Sequence, residues 1–288
     1  MVPNFVFKQK AREALKNNWQ IALMVALIAS LPSLISQVVA IMTQSSYAQT
    51  MNNLLSTMQS GQTIGDVAAM LEEAGITAEG YMPTGIVGLI TAIVSPFLTL
   101  GLLNYTFKLL RGEEDALIGT VLSRKNCFFK AIGLNIMVAL RTILWMLPGL
   151  ALEIVGMLLA FTLQENLVTI GMLVMNLGMI VMLVLGVRAA MHYAMATRVM
   201  AETPTLGVNA CIRRSVEIMS HRKMLLFSLE ISFILYHLGI TLVESLLLSM
   251  AGNVLASTAS MVLSFIVNVY MQMSVSAFYL VYSREQSI

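Results

Sequence analysis

The sequence predicts an all-α fold: a polytopic transmembrane helical bundle of about six spans in three hairpins, with amphipathic helices at one membrane surface. Three observations carry this. First, 58% of the 288 residues are hydrophobic and only 11% are charged, against about 25% charged in an average soluble domain. Second, six stretches reach the roughly 20 apolar residues that a helix needs to cross hydrocarbon. Third, Lys and Arg cluster before the first span and in every second loop, while the alternate loops lack them. Open sheet edges are not viable in lipid, so the spans are helices. The composition excludes an ordinary soluble enzyme, a disordered chain and a nucleic-acid-binding domain.

The spans follow in order. The first covers residues 19–42 and the second 84–109. The third covers 131–160, the fourth 167–190, the fifth 224–250 and the sixth 254–281. Lys8, Lys10, Arg12 and Lys16 precede the first span. The loop over 43–83 has no Lys or Arg but holds Asp66, Glu72, Glu73 and Glu79. Arg111, Arg124, Lys125 and Lys130 lie between the second and third spans, and Arg198, Arg213, Arg214, Arg222 and Lys223 between the fourth and fifth. The positive-inside rule therefore predicts a multi-pass protein of the cell (cytoplasmic) membrane with both termini cytoplasmic. Ser46-Tyr47-Ala48 has the form of a signal-peptidase site. The preceding apolar run is too long for an ordinary signal core, so an uncleaved first span is expected.

The chain reads as one membrane domain over residues 1–288. It has an amphipathic N-terminal helix over 1–18, an extracytoplasmic loop over 43–83 and a cytoplasmic amphipathic helix over 201–222. In the N-terminal helix Phe7, Ala11, Ala14 and Leu15 share one face, with Lys8, Arg12 and Lys16 off it. Such a helix is expected at the anionic inner leaflet. In the helix over 201–222 Pro204 stands near the start, and Val208, Cys211, Ile212, Ser215 and Met219 form one stripe. Residues 116–130 look like a shorter third example. The organisation suggests three units, each a basic interfacial helix followed by a transmembrane hairpin. In the outer loop GDVAAMLEEA, about 65–74, has a helix signal closed by Gly75.

Ionisable groups inside the membrane are costly and mark candidate functional positions. Arg141, Glu153, Glu230, His237 and Glu244 form the candidate intramembrane polar site. Arg141 falls some 15 Å from the inner end of its span, His237 at a similar depth and Glu230 about one turn nearer the cytoplasm, so Arg141 and Glu230 are expected to pair, with Arg188 as a competing partner for Glu230. Asn135, Asn176 and Asn268 add polar points, whose bland role is interhelical hydrogen bonding. Pro32, Pro96 and Pro148 lie within spans, and Pro148-Gly149 is the best hinge candidate. Gly171, Gly178 and Gly186, with Ser260 and Ser264, have the spacing of close helix packing. Cys127 and Cys211 are expected to be free thiols, because the sequence has no CxxC pair and no Cys/His cluster. No metal-protease, nucleophile-elbow or phosphate-loop motif occurs, so no catalytic residue, metal or other cofactor is expected.

Two stretches carry a resemblance. One is Gly101-Leu102-Leu103-Asn104-Tyr105-Thr106-Phe107-Lys108-Leu109-Leu110-Arg111-Gly112-Glu113. The other runs from Tyr193 through Pro204 and Arg213-Arg214-Ser215-Val216-Glu217-Ile218-Met219 to Leu226-Phe227-Ser228-Leu229-Glu230-Ile231-Ser232-Phe233-Ile234. With Lys10-Ala11-Arg12-Glu13-Ala14-Leu15-Lys16-Asn17-Asn18-Trp19 and Leu147-Pro148-Gly149, they resemble the bacterial integral membrane family catalogued as domain of unknown function 975. Ser220 stands where that family often has Gly, and Leu235-Tyr236 where it often has Trp. The resemblance implies a bacterial cytoplasmic-membrane protein and no assigned activity.

These readings lead to one expectation and one alternative. The expectation is a non-enzymatic membrane protein that interacts with lipids or a partner. Its candidate cytoplasmic interaction surface is Arg111, Arg213, Arg214 and Glu217. The partners expected are the lipid bilayer, with anionic lipids at the inner leaflet, and a membrane protein or a second copy of the chain, but no nucleic acid. The alternative is a small-solute or ion transporter using Arg141, Glu230 and His237.

Overall fold

Each apolar stretch forms a helix, because a backbone in hydrocarbon must satisfy its own N–H and C=O groups. The structure is a computed structural model. It describes residues 3–59, 78–113, 119–120, 125–160, 165–251 and 253–284, with side chains over 3–39, 85–113, 119–120, 126–160, 168–248 and 255–283. In chain order α1 is Asn4–Leu15, α2 Trp19–Gln59, α3 Ala78–Arg111 and α4 Phe128–Ala160, the last entered by a 3-10 turn over Lys125–Cys127. Then come α5 (Glu165–Tyr193), α6 (Ala196–Glu202), α7 (Val208–Met219), α8 (Lys223–Ala251) and α9 (Asn253–Arg284). Among the described residues, six helical stretches are long and apolar enough to cross a membrane. The protein is a multi-pass, all-α membrane protein.

The stretch over 43–83 is not a plain loop. α2 continues to Gln59 and α3 begins at Ala78, so helix occupies much of it. Pattern reading ended α2 where its apolar run stops, but a helix continues through polar residues that make no break. The expected helix over 65–74 lies outside the described residues. The helix over 201–222 is two helices. α6 ends at Glu202, α7 starts after Gly207, and Pro204 lies in the turn between them. Of 116–130, the described part is residues 119–120 and a 3-10 turn leading directly into α4.

The helices pair as hairpins: α2 with α3, α4 with α5, and α8 with α9. The hairpins converge at the basic end of the bundle, where α1, α6 and α7 fill the spaces between them. The core is concentrated there. Phe7, Met195, Ala196, Cys211, Ile212, Ile218, Met219, Leu226 and Phe278 are all fully buried. Toward the opposite end, Leu140, Leu144, Leu173, Leu183, Leu235 and Leu242 are exposed, as lipid-facing side chains are.

The apolar face of α1 meets protein, not lipid. Phe7, Ala11 and Leu15, at i, i+4 and i+8, are completely buried. Phe7 packs edge-on against Phe278 at 5.2 Å and lies 6.0 Å from Tyr282. Tyr270 donates its hydroxyl to the Lys8 carbonyl at 3.1 Å, and Asn4 donates to Ser228 Oγ at 2.8 Å. The Lys8 ammonium lies 4.4 Å from the centre of the Phe233 ring and 5.0 Å from that of Tyr236. Burial there lowers its pKa, because desolvation disfavours the charged form. α1 therefore straps α8 to α9.

In the α4–α5 hairpin four glycines let two backbones touch. A Cβ on Gly149 would stand 2.6 Å from the Met182 nitrogen, and one on Gly156 2.7 Å from the Gly171 carbonyl oxygen. A Cβ on Gly171 would lie 2.7 Å from the Ala160 nitrogen, and one on Gly178 2.8 Å from the Glu153 nitrogen. Gly171 and Gly178 pack as their spacing suggested. Gly186 does not, since a Cβ there meets nothing closer than the Met146 side chain at 3.7 Å. Gly149, read as part of a hinge, is instead a contact point within a helix that runs on through Pro148.

Candidate functional site

The site grows from two short local structures at the basic end. α3 stops at Arg111 because Gly112 adopts a left-handed φ of 72°. Glu113 N–H then bonds Lys108 O at 3.0 Å and Gly112 N–H bonds Leu109 O at 3.1 Å, the paired closure of a helix C-terminus that favours glycine. This turn holds Arg111 where its guanidinium reaches Glu202 Oε1 at the end of α6. The other carboxylate oxygen, Oε2, accepts from the Tyr279 hydroxyl of α9 at 2.7 Å. Tyr279 in turn stacks on Phe107 of α3 at 5.4 Å. One carboxylate thus joins α3, α6 and α9.

The second local structure is the break between α5 and α6. Ser215 of α7 is fully buried there. Its Oγ accepts from Met195 N–H at 3.2 Å and donates to His192 O at 2.9 Å. It thus satisfies backbone groups that the interrupted helix leaves over. The His192 ring bonds at both nitrogens, from Nδ1 to the Arg188 carbonyl at 2.8 Å and from Nε2 to Lys223 Nζ at 2.7 Å. α7 therefore has a fixed seat and a fixed rotation.

That rotation turns Arg213, Arg214 and Glu217 outward. With Glu202, Tyr279 and Ser283 they line a groove of about 530 Å³. Arg214 and Glu217 form a partly exposed pair at 3.5 Å; exposed pairs contribute about 0–1 kcal/mol, so this one orients more than it stabilises. Arg213 is exposed. The four residues proposed for the interaction surface are thus gathered at one end. Three line the groove directly, and Arg111 is joined to it through Glu202.

On the inner face of α7, Cys211 is fully buried. Burial raises its thiol pKa, and the nearby Lys130 opposes that only in part. The net rise in pKa and the loss of solvent access both suppress the reactive thiolate. In the native protein Cys211 is expected to resist N-ethylmaleimide, and to label fully once the protein is unfolded in denaturing detergent. Peptide mass spectrometry reads the difference, and equal labelling of both samples would contradict this placement of α7.

The intramembrane residues are distributed differently from the sequence expectation. Arg141 does not pair with Glu230; its Nη2 donates to Asn209 Oδ1 of α7 at 3.1 Å. A residue on the amphipathic helix, not another span, satisfies it. Arg188 does not reach Glu230 either, and lies 5.7 Å from the centre of the Trp145 ring. Among the described residues no ion pair reaches Glu230, and the buried cation of this region is Arg198 of α6. Arg198 is 9% exposed, donates from Nη1 to Ala194 O at 3.1 Å and from Nη2 to Gln272 Oε1 at 2.9 Å. His237 and Glu244 lie farther along α8, and Glu153 lies on α4 against Gly178. Among the described residues, no ion pair joins any of these five and no group of three or more His, Cys, Asp or Glu side chains could hold a metal.

Sequence reasoning treated Arg198 as a topology charge and passed over Glu202, Asn209 and Tyr279. Arg198 and Glu202, four residues apart in Met195-Ala196-Thr197-Arg198-Val199-Met200-Ala201-Glu202, were the available signal. A charge at helical spacing in a short apolar run is placed to reach neighbouring helices.

The sequence profile described as Protein of unknown function (DUF975) matches residues 1–285. The chain belongs to this family. The match runs from α1 to the end of α9 and includes every residue of the groove. No curated protein matches the chain, and no solved structure does. The family stretch ending Leu110-Arg111-Gly112-Glu113 now has a physical reading: it ends α3 and aims Arg111 at Glu202. At the position where this chain has Ser220, φ is negative; the left-handed residue is the following His221, with φ of 61°.

Proposed function

We propose that this DUF975 protein is a non-enzymatic protein of the bacterial cytoplasmic membrane, with both termini cytoplasmic, that engages anionic lipid headgroups through the α6–α7 groove. The observation that carries the reading is the placement of Arg213 and Arg214 side by side in an open groove of about 530 Å³. Guanidinium groups suit phosphate oxygens because they donate in a planar fork. Glu202 and Tyr279 fix the wall behind them. The basic residues Lys8, Lys10, Arg12 and Lys16 at the same end favour the anionic leaflet. The transport alternative has less support, because Arg141 is committed to Asn209 and, among the described residues, no ion pair joins Arg141, Glu230 and His237.

The double variant Arg213→Ala/Arg214→Ala tests the reading. Each basic residue near an anionic surface contributes about 1 kcal/mol, so loss of both is expected to lower phosphatidylglycerol retained on purification by roughly tenfold or more. The thermal unfolding midpoint is expected to stay near that of the native protein. Unchanged phosphatidylglycerol recovery would sink the proposal. A stoichiometric protein lost from the variant instead would assign the groove to a partner protein.

A further inference from the structure

A second cavity lies away from that groove, within the spans. It occupies about 510 Å³ between α2, α3 and α9, within the roughly 300–1,000 Å³ usual for small-molecule sites. From Ala22 to Gln37 it runs some 20 Å along α2.

Its lining is mostly apolar, with polar groups in two stripes. On α2 these are Ser30, Ser33 and Gln37, at i, i+3 and i+7; on α9 they are Ser264, Asn268 and Gln272, at i, i+4 and i+8. Each spacing puts three polar side chains on one helix face. Among the described residues no Asp, Glu, Lys or Arg lines the cavity.

Several of these groups need a partner. Tyr105 also lines the cavity, is 1% exposed, and its hydroxyl has no hydrogen-bond partner among the described residues. Gln272 accepts from the buried Arg198 through Oε1, which leaves its two N–H groups to donate elsewhere. Gln37, Asn268 and Gln272 are exposed although they lie in apolar spans. An amide left unbonded in hydrocarbon costs several kcal/mol. The rim, by contrast, is apolar and open: Leu27, Met261 and Val262 are 46%, 62% and 50% exposed.

We infer that this cavity binds the polar end of an uncharged lipid that enters from the bilayer. A hydroxyl and carbonyls at that end would answer Asn268 and Gln272, while the chains pass over the apolar rim into the membrane. An anionic headgroup would enter an uncharged pocket with no cation on its lining. The site is separate from the groove of Arg213 and Arg214 and does not depend on it.

Photocrosslinking of the full chain in phosphatidylcholine nanodiscs tests this. Three photoactivatable probes are compared at equal loading: a diacylglycerol, a polyprenol and a phosphatidylglycerol. At least one uncharged probe is expected to label residues 22–37 or 261–273 in preference to the exposed apolar faces of α4 and α5. Its unlabelled form should compete, and the two uncharged arms tell a glyceride from an isoprenoid alcohol. Asn268→Leu is expected to lower that labelling roughly fivefold to tenfold. Labelling spread evenly over the lipid-facing helices would overturn the inference. So would labelling of the cavity by phosphatidylglycerol as strong as by the uncharged probes, or a crosslinked dimer through these segments. The labelled positions in the unsubstituted protein decide the matter even if the variant does not fold.

Discussion

Phe7→Ala is expected to destabilise the protein by about 3–5 kcal/mol, the range for removing a buried aromatic ring. Phe7 is completely buried and touches two further rings, Phe278 and Tyr282, both on α9. Its loss leaves a void where α1 crosses α8 and α9, and the remaining rings cannot close it without moving a helix. The strap would still have Ala11 and Leu15, so the expected result is a lower thermal midpoint in detergent, not absence of the protein. Phe5, on the same helix but 63% exposed, is the control, and Phe5→Ala should leave the midpoint nearly unchanged. Equal midpoints for Phe7→Ala and the native protein would mean that α1 lies on lipid, as an isolated amphipathic helix would.

Gly156→Ala and Gly149→Ala are expected to cost about 1–3 kcal/mol each through overpacking. The added methyl would meet backbone, not the end of a flexible side chain: Gly171 O and Met175 N at 2.7 Å from the first, Met182 N at 2.6 Å from the second. The two helices must then separate along their contact, and the dispersion attraction that joins helices in lipid falls steeply with distance. Gly239→Ala on α8 meets nothing within 4 Å. It should be neutral or stabilising by up to about 1 kcal/mol, the helix propensity difference. Thermal midpoints of the three variants in one detergent give the comparison. Equal effects at 156 and 239 would contradict the close contact of α4 and α5.

Fold class was legible because membrane insertion reads local properties. Apolar length and the positions of Lys and Arg are properties of consecutive residues, and hydrocarbon leaves the backbone few alternatives to helix. The face of α7 was legible for a similar reason: Cys211, Ile212, Ser215 and Met219 fall at helical spacing and are all buried. Arg213, Arg214 and Glu217 were legible as the opposite face. Arg111 was legible as a surface charge, but its link to Glu202 was not, because it depends on where α6 ends.

The partners of the intramembrane charges were not legible. Depth along a helix was estimated at 1.5 Å per residue, and by depth alone Arg141 and Glu230 lie about one turn apart, within reach of a long side chain. Pairing also needs rotation about each helix axis and the identity of the neighbouring helix. These are set by the glycine contacts of α4 with α5 and by the seat of Ser215, which bring Asn209 rather than Glu230 to Arg141. Of the polar stripe of Ser264, Asn268 and Gln272, the sequence marked Asn268 as a polar point and Ser264 as a small packing residue and passed over Gln272, since a cavity exists only where a second and third helix stand off from the stripe.

The sequence by itself therefore determined that this is a multi-pass helical membrane protein, how many spans it has, and which faces of its short helices are apolar. Those properties follow from the free energy of single segments in water or lipid. Only the tertiary structure decided that α1 packs on protein, that Glu202 joins three helices, and that Arg141 meets Asn209 rather than Glu230. Those depend on crossing points between segments far apart in the chain, where packing differences of a few kcal/mol select one arrangement among several that local patterns allow equally.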